Sequence, residues 1–113
     1  MLKIYNRVIK LAGKNPIGAI AHFYKGLLYL TVPWAKRYQN ALNEMEAYLD
    51  LAPKGIFAKE AAFRRMYIYI KLGEKDTAVA LFDKYDFKKK YPESGFTLKL
   101  LELFKNKTKD GNL

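Results

Sequence analysis

The sequence has no cysteine and only one histidine, His22. The first absence removes disulfides, thiolate zinc sites, iron–sulfur clusters and cysteine nucleophiles together. The second means that any triad or histidine-based metal site must be built around one residue. No phosphate-cradling glycine loop is present either. These shortages predict a protein that is not an enzyme and uses no cofactor and no metal. Acid is missing from a whole region: residues 1–43 carry seven bases (Lys3, Arg7, Lys10, Lys14, Lys25, Lys36, Arg37) and no carboxylate, whereas residues 44–113 carry fourteen bases and eleven acids. The first third therefore holds +7 of the formal net charge of +10. Such a field attracts acidic proteins, nucleic acid or anionic lipid headgroups, and does not choose among them. Long apolar runs are also scarce. The greasiest stretch, Ile17 to Trp34, is interrupted by His22 and Lys25 and reads as a buried helix rather than a membrane span. The opening residues have bases spread through them and no apolar core with a small-residue cleavage site, so no secretory signal is read there. The compartment stays open between cytoplasm and cell envelope.

What is present is helical. Half of the 113 residues are apolar and 15% are aromatic, the composition of a globular chain. A chain of this size hides roughly two-thirds of its unfolded surface in one modest core. Pro16, Pro53 and Pro92 each follow a segment of helical periodicity and each has a glycine two or three residues later (Gly18, Gly55, Gly95), at spacings of 37 and 39 residues. Periods of this length signal stacked helical hairpins. Trp34, Tyr38, Ala41, Met45 and Tyr48, with Leu42 and Leu49, make one apolar stripe. Ala78, Leu81, Phe82 and Tyr85 make another, with Lys88 to Lys90 complementing the dipole at its end. Residues 16–31 and 57–72 are apolar around most of their circumference, as helices lying between others are. We expect one all-α domain over residues 1–107 with about six antiparallel helices, at 2–12, 16–31, 34–51, 57–72, 75–90 and 93–107. A disordered tail is expected at 108–113.

One stretch carries a family pattern. Phe63, Arg64, Tyr67, Tyr69, Lys71, Leu72 and Gly73, then Ala78 and Phe82, then Lys90, Tyr91, Pro92 and Ser94 resemble a tetratricopeptide repeat. The variety is that of bacterial cell-envelope proteins, similar to outer-membrane assembly lipoproteins and Tol-Pal coordinators. Gly26, Tyr29, Ala41 and Pro53 fit a weaker preceding copy, in which Met45 stands where an aromatic is usual. The resemblance implies a partial repeat at 1–15, repeats at 16–53 and 54–92, and a capping helix at 93–107, forming a short right-handed solenoid. It also implies a non-catalytic scaffold that holds a partner's peptide or helix in a groove lined by helices 16–31 and 57–72. Some relatives grip acidic C-terminal tails with a lysine and asparagine clamp. No asparagine lies within residues 17–31 or 57–72, so that mode is not implied.

The repeat alignment places Glu60, Phe63, Arg64, Tyr67 and Lys71 on the groove side of the later helix, and Ile20, Phe23, Tyr24 and Leu27 on that of the earlier one. The first set is polar and the second apolar. An apolar patch needs a cover: a partner protein, a second copy in a homodimer, or the N-terminal helix folded over it. In that N-terminal helix Lys3, Arg7, Lys10 and Lys14 share one stripe backed by Leu2, Tyr5, Val8, Ile9 and Ala12. This is either the solvated edge of an end helix or a basic patch for nucleic acid or an anionic membrane surface. Arg65 and Lys25 occupy equivalent places on packed faces and are expected to snorkel or to pair with a carboxylate such as Asp83 or Glu44, contributing register. His22 is expected to be solvated or hydrogen-bonded.

Overall fold

The structure, a computed structural model, describes residues 1–13 and 15–105. These residues form seven helices and no strand: α1 (Leu2–Ala12), α2 (Pro16–Thr31), α3 (Arg37–Leu51), α4 (Ala58–Lys71), α5 (Lys75–Lys84), α6 (Phe87–Lys90) and α7 (Gly95–Lys105). Lys14, the end of the expected last helix and the expected tail lie outside the described residues. Successive long helices run antiparallel, as their side-chain contacts show. Tyr5 of α1 meets Tyr24, Phe23 of α2 meets Tyr48, and Arg65 of α4 reaches back to Glu46 of α3 and forward to Tyr85. The Cα extents of 44 × 33 × 19 Å leave room for two helices through the thinnest direction.

Local chemistry explains the boundaries. Asn15 accepts a hydrogen bond from the Ile17 amide at 3.0 Å while Pro16 opens α2 with its φ already suited to a helix. Gly73, at φ 83°, ends α4: the Glu74 amide donates to the Tyr69 carbonyl at 2.8 Å and the Gly73 amide to Ile70 at 3.1 Å, a Schellman closure. The third helix starts at Arg37 rather than residue 34, because Val32 is extended ahead of Pro33 and a turn from Trp34 to Arg37 intervenes.

The expected helix 75–90 is two helices, which raises the total from six to seven. Asp86 sits in the left-handed region at φ 58°, a conformation that aspartate tolerates better than most residues. At 100° per residue an unbroken helix would carry Phe87 to the side away from Ala78, Leu81, Phe82 and Tyr85. The break turns Phe87 inward, fully buried beside Phe82 and Tyr91.

Apolar packing divides into two clusters that meet on α4. The first gathers Ala19, Phe23, Ala41, Leu42, Met45, Tyr48, Ala61 and Ile68, from α2, α3 and α4. The second gathers Ala62, Phe63, Met66, Ala78, Leu81, Phe82, Phe87 and Leu100, from α4 to α7. Gly26 lets α2 and α3 close: a Cβ there would stand 2.9 Å from the Met45 Cε and 3.2 Å from the Glu44 Cβ. Two ring stacks join consecutive hairpins, Phe23 on Phe57 at 4.5 Å and Phe63 on Phe96 at 4.6 Å between centroids. The Tyr48 hydroxyl fixes the first stack by accepting a hydrogen bond from the Phe57 amide at 2.9 Å.

Neighbours on one helix should therefore respond very differently to truncation. Phe23→Ala is expected to cost about 3–5 kcal/mol in urea-unfolding free energy, the range for a buried phenylalanine. Tyr24→Ala, on the half-open side, is expected to cost under about 1 kcal/mol.

Candidate functional site

The nine residues expected to line a groove separate into two groups. Phe23 and Phe63, 1% and 8% exposed, are core residues covered by Phe57 and Phe96 of the following hairpins. The expectation that they face a partner is corrected on that ground: each is capped from within the chain. The rest stay accessible in part. On α2, Ile20 and Leu27 are half-buried and Tyr24 is 41% exposed, its ring stacked on Tyr5 at 6.5 Å and edge-on to Phe57 at 5.7 Å. The N-terminal helix thus supplies part of the cover that the apolar patch needs. On α4, Arg64 donates to Glu60 at 3.2 Å and lies 5.7 Å from the Phe63 ring, and the Lys71 ammonium stands 5.3 Å from the Tyr67 ring centre. Glu60, Arg64, Tyr67 and Lys71 fall at i, i+4, i+7 and i+11, so they share one side of α4.

Lys3, Arg7 and Lys10 are exposed on α1 and pair with no carboxylate among the described residues. Lys14 lies outside those residues. No group of three His, Cys, Asp or Glu side chains able to hold a metal ion occurs among the described residues, and none of their helices is long and apolar enough to cross a membrane.

Two polar clusters lie between helices rather than on the open side. Glu44 of α3 reaches α2 twice, to the His22 Nδ1 at 2.6 Å and the Lys25 ammonium at 3.3 Å. Arg65 of α4 binds Glu46 of α3 at 3.0 Å through its Nε and donates to the Tyr85 hydroxyl at 2.9 Å, while the Tyr69 hydroxyl donates to the same Glu46 at 3.1 Å. Lys25 thus meets one of the two carboxylates expected, whereas Arg65 meets Glu46 in place of Asp83. The antiparallel register of α3 and α4 decides it, since Glu46 lies level with Arg65 and Tyr69. Burial pulls the Arg65 guanidinium down, but the hydrogen bond and charge of Tyr85, together with Glu46, outweigh it and hold the group above its ordinary value. Burial, and then the Glu46 carboxylate, push the Tyr69 phenol up. These groups satisfy one another and set the register of α3, α4 and α5.

Sequence reasoning missed Glu46, Tyr69 and Tyr85 as one cluster. It also missed a cleft of about 370 Å³ lined by Leu2, Lys3, Leu28, Tyr29, Val32 and Trp34. Comparison with protein-family models, with curated proteins and with solved structures gave no match.

Both clusters make testable demands. Glu44→Ala leaves Lys25 and His22 half-buried without their acceptor and is expected to cost about 1–3 kcal/mol in chemical denaturation. Glu60→Ala, which breaks a more exposed i,i+4 pair, should cost about 0.5 kcal/mol or less. The raised Tyr69 pKa gives a second test. In the unfolded chain Tyr69 ionises near pH 10 and in the folded chain later, so unfolded molecules shed the proton first. The stability this group contributes is complete below about pH 10 and is lost as pH rises through the folded pKa. Ultraviolet titration of the folded chain should lose a late-ionising component when Tyr69 is replaced by Phe.

Proposed function

We propose that this chain is a non-catalytic, tetratricopeptide-repeat-like scaffold that binds a peptide or helix of another protein along the side shared by α2 and α4. The observation that carries the reading is the contrast at adjacent positions. Phe23 and Phe63 are sealed by the next hairpin, while Tyr24, Arg64, Tyr67 and Lys71 beside them remain at the surface with Glu60. Repetition supports it. Phe23 and Phe63, Ala41 and Ala78, and Met45 and Phe82 occupy corresponding positions of the two hairpins and are all buried. An exposed Tyr24 and a half-buried Tyr67 beside a paired arginine suit a binding surface, because tyrosines offer large area at small conformational cost. The break at Asp86 and the turn around Trp34 depart from the regular repeat.

A second reading rests on a different observation. Lys3, Arg7 and Lys10 are exposed on α1 with no carboxylate partner among the described residues, as a nucleic-acid or anionic-membrane contact would require. A photo-crosslinking amino acid placed in turn at Tyr24, Tyr67, Lys3 and, on α5, Val79 separates the two. The scaffold reading expects one protein captured from both Tyr24 and Tyr67 and not from Val79. Capture of nucleic acid or lipid at Lys3, with nothing at Tyr24 and Tyr67, would replace it with the second reading.

A further inference from the structure

The N-terminal edge of the molecule holds an unfilled seat that adjoins the α2 and α4 side at Tyr24. Helix α1 packs on α2 through Leu2, Tyr5, Val8, Ile9 and Ala12, and none of them is fully buried. Two further apolar residues of α1 stand clear, Ile4 at 62% and Leu11 at 80% exposed, together with Ile17 of α2 at 62%. Leu2 and Lys3 face the cleft beside Trp34, on one side of the α1 and α2 contact, while Tyr5 at its centre stacks on Tyr24. Ile4 and Leu11 therefore emerge on the opposite side, next to Ile17 and Tyr24. Each helix contributes a pair at i and i+7, two turns apart, and the helices are antiparallel, so the four side chains form two matched rows about 10 Å long. Arg7 lies between Ile4 and Leu11 on the outer rim, with Lys10 beyond it and Lys3 towards the Trp34 cleft.

We propose that these two rows seat an amphipathic helix of another protein whose apolar stripe is flanked by Asp and Glu. Charge identifies the occupant. No carboxylate occurs in residues 1–43, and Arg7, Lys3 and Lys10 have no partner among the described residues, so the rim calls for acids that this region of the chain lacks. A second copy docked two-fold through the same patch does not supply them, since that contact would set Arg7 and its neighbours against their own like charges. A furrow between two antiparallel helices receives a third helix along its length, whereas a bilayer surface meets only the crests. The exposed indole of Trp34, suited to a membrane interface, lies on the other side.

The test uses the full chain and a synthetic amphipathic helix with a leucine stripe flanked by glutamates, read by fluorescence anisotropy, beside the same peptide with glutamine for glutamate. The glutamate peptide should bind, weaken steeply with added salt, and outbind the glutamine peptide by about tenfold. Leu11→Ser and Arg7→Glu should each weaken it by about tenfold or more with an unchanged unfolding transition, since both side chains are at the surface. Tyr67→Ala, on α4, should leave this binding intact, so loss with Tyr67→Ala alone would move the peptide to the α2 and α4 side and overturn the seat proposed here. Indifference to Leu11→Ser and Arg7→Glu would overturn it as well. So would a dimer in sedimentation that Leu11→Ser dissolves, or binding to phosphatidylserine vesicles with none to the peptide.

Discussion

Two phenylalanine stacks decide how the hairpins meet. Phe23 lies nearly parallel to Phe57 and Phe63 to Phe96, each ring from the middle of one helix against a ring at the start of the next unit. A stacked aromatic pair adds about 0.5–1.5 kcal/mol beyond its buried area and constrains orientation as well. With those rings in place α4 is set against α2 and α7 against α4. The apolar interior then falls into two clusters that share α4 instead of converging on one centre. The same stacks withdraw two large side chains from the surface, leaving their tyrosine and arginine neighbours there.

Register between layers is fixed by charge. Glu44 holds α3 to α2 and Glu46 holds α3 to α4, through a lysine in one case and an arginine in the other. Both carboxylates lie on α3, two residues apart, so they project to different sides of that helix and reach different neighbours. Partly buried pairs of this kind add little net stability against apolar replacements, but breaking one partner is costly, and that asymmetry favours a single alignment.

Much of this was legible in the sequence, and what was not has identifiable causes. Asn15 and Pro16 mark the start of α2, and Leu72, Gly73 and Glu74 mark the end of α4, because capping is local chemistry. The break at Asp86 was hidden by an apolar stripe that stays helical through Tyr85. The only local hint was Phe87, which an unbroken helix would send to solvent. The repeat alignment put Phe23 and Phe63 on one arc with Tyr24 and Tyr67. Whether that arc is open depends on Phe57 and Phe96, residues more than thirty positions further on, and periodicity holds no such information. Arg65 was seen to need a carboxylate, but choosing Glu46 over Asp83 required the register of α3 against α4.

The hairpins stack in this order only if the two ring stacks occur together. Nuclear Overhauser spectroscopy on protein with selectively labelled phenylalanine tests them directly. It should show close ring-to-ring contacts between Phe23 and Phe57 and between Phe63 and Phe96, with no such contact between Phe23 and Phe63. Absence of either pair, with the Phe23 or Phe63 ring open to solvent, would contradict the stacking of hairpins on which both the fold and the proposed binding side depend.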